Sequence, residues 1–376
     1  MLAILCAIFA LALGVVLYTY VGYPLLLYLL PLRPRDESHV PGTWPKISIL
    51  VSAYNEEKHI FDRITNLLDL DYPAERLEIL IGSDGSTDRT VDLASQVADP
   101  RVHVLARSVR CGKPAVLKRL AAQATGEVLV LTDANTLFAR DALTQLVKGL
   151  SDPQVGGVCG RLMLESERAN CEGVYWNLET GLKVRESRLD SCIGANGAIY
   201  AVRREAWPDF PDRTLVDDLV IPLRMRESGW RTIFRPEALA FEEAPRSVRD
   251  EMARRIRLGA GGFQALGLCW RSLLFWRGAY AWAFWSHKVL RWLSPFCMLA
   301  ALLTNSALAG SQPFDGLLAL QVEFYALAAA GAILERSGRR LLLAPRYFVA
   351  MNLALMMGFF RFVTGTQRVT WKRVAR

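Results

Sequence analysis

Apolar and polar positions fall into blocks along this chain. Lys46 to Ala53 (KISILVSA), Leu77 to Gly82 (LEILIG), Arg101 to Leu105 and Val128 to Leu131 are short runs dominated by apolar residues. Such runs are the pattern of strands buried on both faces. Stretches of helical period stand between them. Asn55-Glu56-Glu57 leads into an amphipathic helix ending near Leu68, a helix capped by Ser or Thr follows the turn Ser83 to Asp88, and Lys113 to Ala124 is a third helix. Strands alternating with helices predict βαβ units and a mostly parallel sheet. The second half is less regular. Val155 to Leu162 reads as a strand and Gly173 to Ser187 as a helix. Gly194-Ala195-Asn196-Gly197 is a tight turn before Ala198 to Val202, and Leu215 to Leu219 opens a helix running to Ser228.

Longer apolar blocks flank this region. Leu2 to Leu32 carries no charge, and roughly 20 apolar residues span a bilayer. A cleaved signal peptide needs a basic start and a shorter apolar core, and neither is present. Arg33, Arg35 and Lys46 follow, which by the positive-inside rule places the next domain in the cytoplasm. Pro31, Pro34, Pro41 and Pro45 make the connection a stiff linker. Trp292 to Phe314 reads as a second span and Gly316 to Leu334 as its return, with Glu335 to Arg340 inside. Tyr347 to Phe360 is shorter and reads either as another span or as an interfacial helix. Arg361, Arg368, Lys372, Arg373 and Arg376 argue that the tail lies inside, whereas four full spans would put it outside. Arg246 to Arg291 mixes arginines with Trp270, Trp276, Trp282 and Trp285, as a helix in the headgroup layer does. The expected division is therefore 1–32 membrane helix, 33–45 linker, 46–245 α/β domain, 246–291 interfacial helices, and 292–376 membrane helices with a basic tail.

Composition agrees with this division. The 376 residues are 52% hydrophobic and 22% charged, too apolar for an ordinary soluble domain and too charged for membrane helices alone. The net charge of +8 suits anionic headgroups and ligands. No recognition-helix, RNA-binding or zinc-finger pattern points to nucleic acid. The seven cysteines are scattered with no C-x-x-C, which supports neither a zinc site nor a redox motif.

Candidate chemistry sits where strands end. Ligands of such sheets lie at the carboxyl ends of the strands, and three of these ends carry acids: Glu56 with Glu57, Asp84, and Asp133. In Asp133-Ala134-Asn135 a carboxylate and an amide oxygen suit a hard cation such as Mg²⁺ or Mn²⁺. Taken alone, the same residues also make a strand-to-helix turn. Asp217 and Asp218 at a helix start serve equally as caps or as a positioned base. The glycines around Asn196 allow a ligand close to the backbone.

The order of these motifs resembles the family 2 glycosyltransferases. The match is carried by Ser52-Ala53-Tyr54-Asn55-Glu56-Glu57, Ser83 to Asp88, Gly112-Lys113, Asp133-Ala134-Asn135, Gly194 to Gly197, Asp217-Asp218 and Arg254-Arg255-Ile256-Arg257. It covers residues 46 to 270, and each motif is weak where seven in order are specific. The resemblance implies an inverting enzyme with a GT-A fold, a Rossmann-like mixed sheet, in the membrane-bound branch that includes cellulose, hyaluronan and poly-N-acetylglucosamine synthases. It implies that Ala53, Asn55, Glu56 and Asp84 hold the nucleoside, that Lys113 lies near the diphosphate, and that Asp133 and Asn135 take the D-x-D position on a divalent cation. Asp218 matches the catalytic base, with Asp217 beside it. Gly194, Asn196, Arg255 and Arg257 fall on the acceptor side. Two departures stand out: Asn135 replaces an aspartate, so that Asn135→Asp is expected to preserve or tighten cation dependence, and the family's Q-x-x-R-W appears as Arg254-Arg255-Ile256-Arg257-Leu258. The second departure favours single transfer over processive synthesis. The implied function is transfer from a nucleotide-sugar, with UDP-sugar expected, to a lipid-linked or saccharide acceptor. The alternatives are a processive polysaccharide synthase and an inactive assembly subunit. The implied setting is multi-pass in a cell membrane, the bacterial inner membrane, with the catalytic domain cytoplasmic and other polysaccharide-assembly proteins as partners.

Overall fold

The computed structural model describes residues 1–32, 42–164, 171–243, 248–333 and 340–370. Most of the 33–45 linker, Arg33, Arg35, residues 335–339, Arg246 and the basic tail at 372–376 lie outside the described residues. Among the described residues eight strands are formed: β1 (Ile47–Ala53), β2 (Leu77–Asp84), β3 (Val102–Arg107), β4 (Val128–Asp133), β5 (Leu137–Phe138), β6 (Val155–Leu164), β7 (Tyr200–Arg203) and β8 (Arg231–Glu242). The helices are α1 (Leu2–Leu17), α2 (Tyr23–Leu29), α3 (Ile60–Leu68), α4 (Thr90–Ser95), α5 (Lys113–Gln123), α6 (Ala142–Gly149), α7 (Cys171–Leu189), α8 (Asp217–Glu227), α9 (Val248–Leu268), α10 (Ala279–Phe284), α11 (Leu290–Ala307), α12 (Phe314–Ile333) and α13 (Arg340–Val363).

The strands join one sheet in the order β3-β2-β1-β4-β7-β6-β8-β5. The first four are parallel, β7 is antiparallel to β4 and β6, and β5 is antiparallel to β8. This is the mixed α/β sheet that the resemblance implies. Side chains alternate across it. Ile49, Val51 and Val130 face a layer built by α3 and α6 through Ile64, Leu67, Leu143 and Leu146. Leu50, Leu80 and Leu131 face α5, α8 and α9 through Leu117, Leu120, Val220 and Phe263. Both faces are covered, so every residue of β1 and β2 is buried, as parallel strands require.

The strand β8 was not expected from the sequence. Pro236 lies inside it, and its partnership with β6 is bulged there: Gly160 pairs with Arg235 but Arg161 with Leu239. Proline removes a ladder donor, and bulges are where sheets accommodate it.

Among the described residues three helices are long and apolar enough to cross a membrane: Leu2–Leu29, Phe314–Ile333 and Leu342–Val363. For the expected span Trp292 to Phe314 the structure gives other bounds. Its helix α11 begins earlier with the buried Arg291 and stops at Ala307, and it is not one of the three. It still runs antiparallel to α1: Arg291 lies over the ring of Tyr20, while Leu308 packs with Phe9 and Ala12. Glu179 of α7 meets Arg291 and Lys288, and Glu186 accepts from Tyr23 at 2.7 Å and meets His287. These buried charges are paired, as burial demands, and they tie the α/β domain to the apolar helices.

The run Tyr347 to Phe360 belongs to a single long helix, α13. It lies along α9 in the same direction: Arg255 meets Tyr347, Gly259 meets Leu355, and Phe263 meets Phe359 and Phe362. Beyond α13 the chain returns to the α/β domain, where Val369 packs against Gly112.

Candidate active site

The carboxyl ends of β1, β2 and β4 open on one side of the sheet, and the expected residues gather there. The loops after β1 and β2 are stitched together. Asn55, at φ 55°, accepts from the Thr87 amide at 2.8 Å, and its own amide donates to Ser86 Oγ at 3.1 Å. Glu56 N donates to Thr90 Oγ1 at 2.7 Å. Asp84 is fully buried and accepts from the amides of Cys111 and Gly112 at 2.7 and 2.9 Å. Its carboxylate therefore shapes the loop that presents Lys113. Gly112 sits at φ 95°, a conformation that glycine adopts without strain. Arg110 stacks on Tyr54, 3.5 Å from the ring centroid. Sequence reasoning missed this pairing: Tyr54 stood inside the first motif without a role of its own, and Arg110 lies far from it in the chain and in no motif.

Lys113 Nζ donates to Asp133 Oδ1 at 2.7 Å and reaches Gly197 O at 3.5 Å. Burial would lower the ammonium's pKa, but Asp133, Asp217 and Asp218 more than reverse this and hold it above its usual value. Under Asp133 lies Arg63, fully buried, donating to Thr132 Oγ1 at 2.7 Å and to Asn66 Oδ1 at 2.6 Å. It is a second cation near the Asp133 carboxylate that the sequence did not mark.

The opposite wall is built from the turn 194–197 and the start of α8. Ala195 N donates to Asp218 O at 2.7 Å, and Gly197 N donates to Asp218 Oδ2 at 3.1 Å. A Cβ at Gly197 would stand 3.0 Å from Asp218 Oδ2 and 3.5 Å from Lys113 Nζ, so this glycine lets the two walls meet. Asn196 is turned away from the cleft. Its amide donates to Gly160 O at 2.6 Å and its carbonyl oxygen accepts from Lys183. Gly194, at φ 94°, packs on Leu219.

Asp217 and Asp218 differ in surroundings. Asp218 is half-buried, whereas Asp217 is buried with Oδ2 lacking a hydrogen-bond partner. Burial pushes the Asp217 carboxyl above the usual range. Lys113 pulls it back, and Asp218 and Asp133 push the same way as burial. Arg257 donates to Leu215 O at 3.0 Å. Burial lowers its pKa, while Asp218, Asp217 and Asp133 raise it, which places the guanidinium in the field of the cleft. Arg255 is not brought to the cleft: it pairs with Glu251 at 2.6 Å and with Tyr347 of α13. Residues two apart on a helix point about 200° apart, so one helix face cannot present both arginines.

The donor set fits a hard divalent cation. Asp133 offers a carboxylate and Asn135 an amide oxygen, the oxygen chemistry that Mg²⁺ and Mn²⁺ take. Among the described residues no group of three His, Cys, Asp or Glu side chains could hold a metal by itself. Such a cation would need phosphate oxygens to complete its shell, as Mg²⁺ commonly does. Ser52 Oγ, beside Asp133 in the ladder, and Thr136 Oγ1 are likewise buried without partners at this end of the sheet.

A mixed sheet with acids, a largely buried lysine and a clamped acid pair at the carboxyl ends of its parallel strands is the arrangement that the sequence resemblance implies. The Glycosyl transferase family 2 profile matches residues 48–196, and the Glycosyl transferase family group 2 profile matches residues 128–361. The chain belongs to the family 2 glycosyltransferases. It is 28% identical over 262 residues to a beta-monoglucosyldiacylglycerol synthase of Synechocystis, covering 66% of this chain and 52% of that protein. It is 23% identical over 229 residues to a poly-beta-1,6-N-acetyl-D-glucosamine synthase of Staphylococcus aureus, covering 58% and 55%. The chain thus spans about half the length of these relatives. The structure of the mannosyltransferase PcManGT from Pyrobaculum calidifontis, in complex with GDP-Man and Mn²⁺, superposes with a TM-score of 0.73 at 26% identity, covering 98% of this chain and 100% of that one.

Proposed function

We propose that this enzyme moves one sugar from a nucleotide-sugar, with inversion, to a lipid-linked acceptor at the membrane face. The observation that carries the acceptor class is the clamp on the segment before Asp217 and Asp218. Arg257 and Gln264 of α9 hold Leu215, the first on its carbonyl at 3.0 Å and the second on its amide at 2.8 Å. The same helix packs on Trp292 of α11 and along α13. The acid pair is therefore positioned by the element that carries the apolar helices, where a lipid headgroup would arrive.

In this reading Asn55, Glu56, Asp84 and Ala53 shape the nucleoside pocket, with Tyr54 and Arg110 as its rim. Lys113 and Arg257 face the diphosphate, and Asp133 and Asn135 hold a divalent cation against it. When bound, that cation offsets the charge that develops on the leaving diphosphate. Asp218 takes the proton of the acceptor hydroxyl as its oxygen bonds to the anomeric carbon. The bond from that carbon to the phosphate oxygen breaks, and its electron pair leaves with the nucleoside diphosphate. Asp217, buried beneath, positions the start of α8. The turn at Gly194 and Asn196 holds Asp218 in place through the amides of Ala195 and Gly197.

For the membrane, α13 accompanies α9 and returns the chain to Gly112, which supports a tail on the catalytic side. With the first span followed by basic residues, that side is the cytoplasm. The deciding experiment supplies UDP- and GDP-sugars in turn to the purified chain with a membrane lipid extract. The expected product is one sugar on an organic-soluble lipid. A long water-soluble polymer would overturn the reading in favour of a processive synthase.

A further inference from the structure

We infer that Glu242 makes Asn135 a cation ligand, so that the Asn135–Glu242 pair together does what the family's second aspartate does alone. An amide has two prongs of opposite character. Asn135 Nδ2 donates to Glu242 Oε1 at 2.8 Å. A carboxylate only accepts, so this contact fixes which prong is nitrogen. The oxygen is then the prong turned away from Glu242, and it is the prong assigned to a cation held by Asp133. Donation to an anion also polarises the amide and makes its oxygen a stronger ligand, as outer partners of metal ligands do.

The sheet explains how a residue more than a hundred positions away reaches this place. The two-residue strand β5 begins one residue beyond Asn135, after Thr136, and pairs with the end of β8, Leu137 opposite Phe241 and Phe138 opposite Ala240. One step further along the same register brings Glu242 beside the turn 135–136. Glu242 is 8% exposed, and Asn135 is one of its partners. A negative charge so buried is costly unless it is bonded. Here it sits one amide away from the proposed cation, where its charge contributes to holding the ion without direct contact. The expectation that Asn135→Asp simply restores a better ligand is thereby revised: in this chain the new carboxylate would face Glu242.

The inference rests on Asp133 as the cation residue, and its test separates the two. Mn²⁺ is titrated into the full chain in nanodiscs with a fixed excess of UDP or GDP to supply phosphate oxygens, and Mn²⁺ taken up by the protein is followed by electron paramagnetic resonance against the same titration without protein. Glu242→Gln should weaken binding about tenfold or more, the range for outer partners of metal ligands. Asn135→Ala should weaken it at least as much, and the double variant Asn135→Ala with Glu242→Gln should be no weaker than Asn135→Ala alone. The exchange Asn135→Asp with Glu242→Gln keeps one carboxylate and one amide in contact and should recover Mn²⁺ affinity to within about threefold, a difference of under 1 kcal/mol. Unchanged binding in Glu242→Gln, or losses that multiply in the double variant, would overturn the inference. If Glu242→Gln does not fold, the exchange decides, and an exchanged protein that folds but fails to bind Mn²⁺ overturns it. Asp133→Ala is the control. Loss of Mn²⁺ there with normal binding in Glu242→Gln sinks this inference alone, whereas retention there sinks the cation site itself.

Discussion

Lys113 Nζ and Asp133 Oδ1 lie 2.7 Å apart, and Gly197 O completes the lysine's contacts from the opposite wall. The pair joins α5 to the end of β4 and links the residues proposed for the diphosphate and the cation. Asp133→Ala should therefore bring transfer below about a tenth of wild type, a loss larger than one 1.4 kcal/mol step. Lys113 keeps Gly197 O, so the protein should still fold and insert. Chelation with EDTA should silence the wild type, and Mn²⁺ or Mg²⁺ should restore it. Turnover beside circular dichroism checks both; a chelated enzyme at full rate would remove the cation from the mechanism.

Asp217 and Asp218 separate by environment. Asp218→Asn removes the proposed proton acceptor while retaining shape, and should cut turnover by roughly 10² or more, the scale of general base catalysis. Nucleotide affinity should hardly change. Asp217→Asn should act on positioning and stability instead. Turnover and nucleotide binding measured on both variants decide the assignment, and an inactive Asp217→Asn with an active Asp218→Asn reverses it.

The close approach of α9 to the acid pair can be probed through its glycines. A Cβ at Gly261 would stand 2.1 Å from Val216 Cγ2, whereas one at Gly267 meets nothing within 4 Å. Gly261→Ala should cost about 1–3 kcal/mol by overpacking and should lower turnover, because Val216 precedes the acids. Gly267→Ala should stabilise the helix by about 0.5–1 kcal/mol. Thermal melting and turnover of the two variants in detergent provide the comparison; equal behaviour would mean that α9 does not press on the site.

Membrane sidedness has a direct reporter. Cys111 is half-buried in the loop before Lys113, while Cys159 is buried and a poor probe. With a cysteine introduced at Thr370, both Cys111 and residue 370 should be labelled only after the cells are permeabilised. Labelling of either from outside intact cells would overturn the cytoplasmic placement.

Of the four parallel strands, β1, β2 and β4 were legible because burial on both faces leaves runs dominated by apolar residues, such as Val128 to Leu131, and β3 because its short apolar run follows a helix. The strands β5 and β8 were not. A two-residue strand carries no period, and Pro236 inside β8 argues locally against a strand that tertiary pairing nonetheless imposes. Asp133, Lys113 and the acid pair could be read from motif order. Their neighbours Arg63, Arg110 and Glu242 could not, because each acquires its place only when distant strands pair. The small run Gly259-Ala260-Gly261-Gly262 was a readable signal of close helix contact that went unused. The third C-terminal apolar run was ambiguous in length alone, and its neighbour α9 is what distinguishes it.

Val369 Cγ1 would lie 2.6 Å from a Cβ at Gly112. The loop that presents Lys113 thus has as its lid a residue made some 250 positions later. Domains tend to fold in order of synthesis, so the α/β sheet can assemble early on the ribosome while its donor-side rim stays open. Only after α12 and α13 have been placed does residue 369 fold back over Gly112. Completion of the proposed donor rim is in this way tied to the placement of α13, and a chain stalled before α13 would carry a formed sheet with an unfinished loop at Gly112.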